Sequence, residues 1–272
     1  MGVRVILVGC GNMGRAMLSG WLTAGRLAPE DVAVVEPSAD NAERARKLGV
    51  TVVAEAGSLA PDLRPELIVL AMKPQSVNEV VPAYSGYAQT GSAFLSVAAG
   101  TPIATFEVLL GSDTAVIRCM PNTPAAIGSG MMVTVGNANV DSPTERFVAD
   151  LLSASGEVAR VADEALMDAV TAVSGSGPAY LFHFVECLAR AGEKAGLPAD
   201  VAAQLARQTA FGAASLIVET GEDPAELRRQ VTSPNGTTQA ALDVLMGEER
   251  LARLMQDAVE AARARSVELG KA

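Results

Sequence analysis

Through roughly the first 160 residues, short apolar runs alternate with segments whose apolar positions recur at helical spacing. Residues 3–8 form a near-continuous apolar run, the pattern of a strand buried on both faces. Residues 12–24 follow with Met13, Met17, Leu18 and Leu22 spaced as one face of a helix. Residues 32–35 predict the next strand and 41–48 a charged helix; further strands are expected at 67–71, 93–97 and 115–117. Residues 131–135 and 157–161 add strands at the edge. Strands separated by helices imply βαβ units and a parallel sheet.

Beyond about Asp163 the strand signal fades, and residues 164–196, 198–220, 224–231, 237–246 and 248–269 read as helices. Breaks fall at Gly196-Leu197-Pro198, Gly221-Glu222-Asp223-Pro224 and Ser233-Pro234-Asn235-Gly236; Asp223-Pro224 has the form of an N-cap followed by proline at the first helical position. In the last helix Leu251, Leu254, Met255, Ala258 and Ala262 make one apolar stripe, suited to core or subunit interface. The expected architecture is α/β: a parallel-sheet domain over residues 1–162, then an all-α domain over 163–272.

Composition narrows the function. Apolar residues are 49% of the 272, enough for a real core, and only 4% are aromatic, which favours close alanine-rich helix packing. A net charge of −10 argues against a nucleic-acid partner. No apolar run approaches the ~20 residues that span a bilayer. The N-terminus lacks the pattern of a secretion signal. Cys10, Cys119 and Cys187 are isolated, so neither disulfides nor a zinc site is expected, and a reducing cytoplasm is the expected compartment. No His, Cys, Asp and Glu residues have metal-ligand spacing, so no metal is expected.

The first candidate chemistry is Gly9-Cys10-Gly11-Asn12-Met13-Gly14, between a predicted strand and a predicted helix. In that context G-x-G-x-x-G is the Rossmann dinucleotide fingerprint: glycine permits a tight turn and close approach of a pyrophosphate, and the helix N-terminus offers unpaired N–H groups. Glu36 lies 22 residues beyond Gly14, where an acid accepts hydrogen bonds from the adenosine ribose. With Ser38 beside it and no adjacent arginine, it favours NADH over NADPH, although Arg44 and Arg46 could reach in from the next helix. Ligands in such sheets bind beyond the carboxyl ends of the strands. Ala71, Met72, Lys73 and Pro74 stand there, as do Val97, Ala98 and Ala99, and Asn122, which could meet a ribose or carboxamide.

Two glycine-rich stretches in the second half each open a predicted helix: residues 174–180 (SGSGPAY) and 232–238 (TSPNGTT). The second combines hydroxyls with free amides, a receptor for a small carboxylate. The lone His183 sits in an apolar run and reads as a packed helix residue rather than a general base.

Taken together, Gly9 to Gly14, Met72-Lys73-Pro74-Gln75, Ala98-Ala99-Gly100, residues 118–124 (RCMPNTP), 173–180 and 233–238 resemble the pyrroline-5-carboxylate reductase family, in its order and over nearly the whole chain. The resemblance implies reduction of the cyclic imine 1-pyrroline-5-carboxylate to L-proline with NADPH or NADH, and pairing of subunits through the helical domain into dimers or assemblies of dimers. It also implies that Ser233 and the amides near Gly236 and Thr237 hold the substrate carboxylate, while Thr238 hydrogen-bonds the ring nitrogen and helps protonate it. Gly9 to Gly14, Ala71 to Pro74 and Val97 to Ala99 would line the nucleotide. Two positions depart from the family: Asn235 stands where glycine is usual, and Glu36 where many members have a neutral or hydroxyl residue. Asparagine tolerates a positive φ, which keeps the turn. Competing readings are a two-domain dehydrogenase of 3-hydroxyacid type, for which Lys194 is a poor acid/base, and a non-catalytic nucleotide-binding regulator.

Overall fold

The computed structural model describes residues 2–270. The elements run β1 Val5–Val8, α1 Asn12–Thr23, β2 Val32–Val35, α2 Ala39–Arg46, β3 Thr51–Val53, β4 Leu67–Leu70, α3 Val77–Val80, α4 Ser85–Gln89 and β5 Ala93–Ser96. They continue with α5 Ile103–Leu110, β6 Val116–Met120, β7 Gly130–Gly136, α6 Ser142–Ser153, β8 Gly156–Arg160 and α7 Met167–Val170. The last five are α8 Gly177–Lys194, α9 Ala199–Thr220, α10 Pro224–Gln230, α11 Thr237–Met246 and α12 Arg250–Leu269.

All eight strands join one sheet in the order β3-β2-β1-β4-β5-β6-β7-β8. The apolar runs behave as their pattern demands: every residue of β1, β2, β4 and β5 is buried. Two hydrophobic clusters result. One gathers Leu7, Met17, Trp21, Val34 and Leu95. The other gathers Ile6, Ile68, Tyr84, Phe94 and Phe106.

Three local differences from the sequence pattern have physical causes. The sheet is parallel except that β7 runs antiparallel to β6. The connection between them is residues 121–129, shorter than the dozen or more that a parallel crossover needs. The strand β3 was not expected, because three residues at a sheet edge show no readable period. The single helix expected over 164–196 is broken into α7, a π-turn over Thr171–Gly175, and α8. A Cβ at Gly175 would overlap Met120 Cε, so the end of this β6 methionine side chain packs directly against the turn.

By compactness the chain divides into two units. One runs to Ser176 and regains the stretch from Ala262 onward; the other is Gly177–Ala261. Within the first, the end of α12 is anchored by Ser266 Oγ, which donates to Asp168 Oδ1 at 2.6 Å. No helix among the described residues is long and apolar enough to cross a membrane.

Candidate active site

The strand order reverses beside β1, because β2 lies on one side of it and β4 on the other. Crevices at such reversals, beyond the carboxyl ends of the strands, take ligands. A cavity of about 560 Å³ opens there, lined by Gly9, Gly11, Glu36, Ala71, Met72 and Lys73 among others.

The three glycines serve different ends. Gly9 has φ +89°, and a Cβ there would stand 2.6 Å from Ala71 O. A Cβ on Gly14 would overlap Gly9 O, so this glycine lets α1 pack against the turn. Gly11 has an ordinary φ of −65°, and nothing lies within 4 Å of where its Cβ would be. The protein's own packing therefore does not require glycine at 11. The open space beside the uncapped start of α1, facing the cavity, suits a pyrophosphate, and on this ground the residues fit a dinucleotide. The remaining motif residues are divided: Cys10 points its thiol into the core, Met13 packs against the same cluster, and Asn12 is exposed. Burial pushes the Cys10 thiol up to about 11.

Glu36 is buried, and its carboxylate is bound by the turn itself. Its Oε2 accepts from the Cys10 amide at 2.6 Å and its Oε1 from the Ser38 amide at 2.8 Å. The acid thus ties the glycine turn to the start of α2 while remaining part of the cavity wall. Arg44 lines a separate groove of about 350 Å³ with Asn12, Arg15, Ser19 and Lys47. Arg46 lies 4.0 Å from Glu43, and neither arginine lines the nucleotide cavity.

Several wall residues carried no signal in sequence: Pro37, Asn41, Ala54, Glu55, Ala56, Glu79 and Tyr84. Three of them follow the unexpected strand β3, which brings its loop to this rim.

Val97, Ala98, Ala99 and Asn122 follow the ends of β5 and β6 and are not among the residues that line the cavity. Ala98 is buried, and its amide donates to Ser96 Oγ at 3.2 Å; Val97 is half-buried and Ala99 exposed. Pro74 starts a 3-10 turn after the exposed Lys73. Asn122 is engaged at both ends of its amide: Oδ1 accepts from the Met131 amide at 2.9 Å, and Nδ2 donates to Ser174 O at 3.1 Å. Proline at 178 lacks the N–H that would bond the carbonyl four residues earlier, which leaves Ser174 O for Asn122. Arg118 and Glu164 form a largely buried ion pair at 3.0 Å, and Glu164 Oε1 also accepts from the Ile103 amide at the start of α5.

In the second unit, residues 233–236 make a tight turn in which the Gly236 amide donates to Ser233 O at 3.0 Å. Asn235 takes φ +59°, as that turn requires. A Cβ at Gly236 would overlap Ser233 Oγ, so the serine hydroxyl lies directly over the start of α11. No side chain caps that start, and Thr237 and Thr238 are its first residues. Hydroxyls and open amides meet there, the arrangement that receives a carboxylate. His183 is not packed: its side chain is exposed, with Nδ1 3.2 Å from Glu186 Oε2, because α8 turns its apolar run to the surface of the single chain.

A Rossmann-type sheet with a glycine turn beside an open cavity, followed by a helical unit, is the architecture of a dinucleotide-dependent oxidoreductase. A family model described as pyrroline-5-carboxylate reductase dimerisation matches residues 164–269, and one described as NADP oxidoreductase, coenzyme F420-dependent, matches residues 4–100. The pyrroline-5-carboxylate reductase of Pseudomonas aeruginosa is 39% identical over 269 residues, covering 98% of this chain and 97% of its own. That of Arabidopsis thaliana is 35% identical, covering 98% and 96%. The solved structure of the Coxiella burnetii enzyme superposes with a TM-score of 0.93 at 32% identity, covering all of both chains. The Plasmodium falciparum enzyme, solved with NADP bound, gives 0.83 at 29% identity and covers 98% of each. The chain belongs to the pyrroline-5-carboxylate reductase family.

Proposed function

We infer that the protein reduces 1-pyrroline-5-carboxylate to L-proline, the final step of proline biosynthesis, using a nicotinamide cofactor. The observation that carries this is the full-length match to relatives named for that activity, through both the sheet and the helical half. When bound, the nicotinamide supplies the hydride that the imine carbon accepts. The protein's task is then placement, because a protonated imine is already electrophilic.

The proposed roles follow from the local geometry. Ser233 Oγ and the amides at the start of α11 from Thr237 onward hold the substrate carboxylate, the Gly236 amide being held by Ser233 O. The Thr238 hydroxyl hydrogen-bonds the ring nitrogen and helps keep its proton in place. The turn Gly9 to Gly14, with its backbone at Cys10, Gly11, Asn12 and Met13, holds the pyrophosphate. Ala71, Met72, Lys73, Pro74, Val97, Ala98 and Ala99 flank the nucleotide, and Glu36 and Ser38 meet the adenosine ribose. Asn122 acts by bracing the π-turn against the end of β6 rather than by offering a free amide.

We favour NADH as the reductant. Glu36, Glu55 and Glu79 all line the cavity, against one cation, Lys73, among the described lining residues. A 2′-phosphate dianion would meet repulsion from those carboxylates, whereas ribose hydroxyls would not. The functional division is placed at 162/163, one residue from where the dimerisation match begins. Pairing through the helical part into homodimers, or assemblies of them, accounts for its exposed apolar side chains. Three free cysteines, two of them buried, agree with a cytoplasmic setting.

The test is direct. Purified protein should oxidise NADH only when pyrroline-5-carboxylate is supplied, with proline as product, and kcat/KM should be lower with NADPH. Absence of turnover with either nicotinamide would overturn the assignment; a higher kcat/KM with NADPH would overturn the cofactor preference alone.

A further inference from the structure

The groove of about 350 Å³ between α1 and α2 is lined by three cations, Arg15, Arg44 and Lys47, and by no carboxylate. Asn12 and Ser19 add neutral hydrogen-bonding groups to its wall. In a chain with 31 acidic and 21 basic residues, three cations with no acid between them need a physical reason. Elsewhere in the sheet unit Arg4, Arg26, Arg118 and Arg160 each pair with a carboxylate. None of the three groove cations makes an ion pair among the described residues. Asp40 and Glu43 share α2 with Arg44, yet neither lines the groove.

Three like charges around one groove repel each other, and water screens that repulsion only in part. An anion entering between them removes it and gains charge-assisted hydrogen bonds. The guanidinium forks of Arg15 and Arg44 match phosphate oxygens in pairs, and Lys47 adds a point charge. One carboxylate would neutralise a single cation, whereas two linked phosphates bring several charges into the same space. The groove is also separate from the nucleotide cavity, because the two share no lining residue. Their walls adjoin at the start of α1, where Gly11 lines the cavity and Asn12 the groove.

We propose that this groove is a second anion site, taking a small oligophosphate, and that its occupancy weakens dinucleotide binding. Two anions beside one helix start repel each other, and by linkage each lowers the other's affinity. The coupling rests on the cavity being the nucleotide site; the groove itself does not.

The experiment titrates inorganic pyrophosphate, NADH and NADPH calorimetrically into wild type and the triple variant Arg15→Gln, Arg44→Gln, Lys47→Gln. All three residues are exposed, so melting of the ligand-free variant should be unchanged or higher. The expected result is pyrophosphate affinity lowered about tenfold in the variant. Saturating pyrophosphate should lower wild-type NADH affinity about two- to threefold and leave that of the variant unchanged. Pyrophosphate bound equally by both proteins would overturn the proposal and place the anion on the glycine turn. Wild type that binds no pyrophosphate would overturn it as well, and NADPH weakened by the variant would then assign the groove to the 2′-phosphate. Wild-type NADH affinity unmoved by pyrophosphate would overturn the coupling. Wild type that binds pyrophosphate but no NADH would overturn the nucleotide reading, a separate failure.

Discussion

The two compact units of this chain bury their apolar residues very differently. Both hydrophobic clusters lie wholly in the sheet unit, on strands and helices that cover each other. In Gly177–Ala261 the buried hydrophobic residues are Ala202 and Ala206, while Phe182, Phe184, Leu205, Phe211, Val218 and Leu254 are exposed. The sheet unit therefore has the internal burial that offsets chain entropy, and the helical unit does not. Apolar surface on that scale is the mark of an interface rather than of a free surface. The contrast also separates the two glycine-rich turns: a frame with its own buried core presents Gly9 to Gly14, while the turn at 233–238, proposed to hold the substrate carboxylate, sits on helices whose apolar side chains are largely exposed.

The sharpest way to break that comparison is to place charge on the exposed helical face. Phe182→Asp and Leu254→Asp should each weaken subunit pairing by about 2–4 kcal/mol. Val108→Asp, on an exposed position of α5 in the sheet unit, should leave assembly unchanged. Light scattering over a dilution series reads the difference, and pairing that survives both helical variants would remove the interface reading.

The next test stays within the glycine turn. Gly14→Ala should cost about 2–4 kcal/mol of stability, since its Cβ overlaps a backbone oxygen. Gly11→Ala should leave melting unchanged yet lower NADH affinity by about 100-fold, the open space being the ligand's. Equal destabilisation by the two changes would contradict the division of labour between them.

On the helical side, Thr238→Ala should lower kcat by about 100-fold with NADH affinity intact. Loss of cofactor binding in parallel would mean that the turn at 233–238 serves the nucleotide instead.

The smallest effect concerns a surface cap. At the start of α6 the Thr144 hydroxyl and, at 2.8 Å, the Thr144 amide hydrogen-bond Asp141 and hold its carboxyl below the usual value. A depressed folded value means that its stabilisation is present above the unfolded pKa and is lost as pH falls through the folded one. Asp141→Asn should therefore lower the melting temperature slightly at neutral pH, and the gap to wild type should narrow on acidification. A constant gap would show that charge has no part in the cap.

How far the sequence could be read depended on whether a residue's role was local. The buried strands were legible because a strand covered on both faces must be apolar throughout, as Val5 to Val8 and Leu67 to Leu70 are. The glycine turn was legible because its backbone needs a particular residue type at fixed spacing. The same holds for Asn235, whose φ of +59° matches the one departure that a tight turn tolerates. Edge strand β3 was not legible, and with it went the part of the cavity wall at Ala54, Glu55 and Ala56. The π-turn was hidden too, because it lies inside a continuous helical pattern and its contact with Met120 is 55 positions away in sequence.

The sequence by itself determined the α/β order, the glycine turn at Gly9 to Gly14, the tight turn at Ser233 to Gly236 and the family their motifs resemble. These follow from periodicity and from backbone demands that act over a few residues. Only the tertiary structure decided that Glu36 clasps the Cys10 and Ser38 amides, that Asn122 is spent on Ser174, and that the Tyr84 hydroxyl is buried without a partner. Those outcomes depend on which distant groups arrive to satisfy or strand a buried polar atom, and hydrogen-bond partners of that kind leave no period in a sequence.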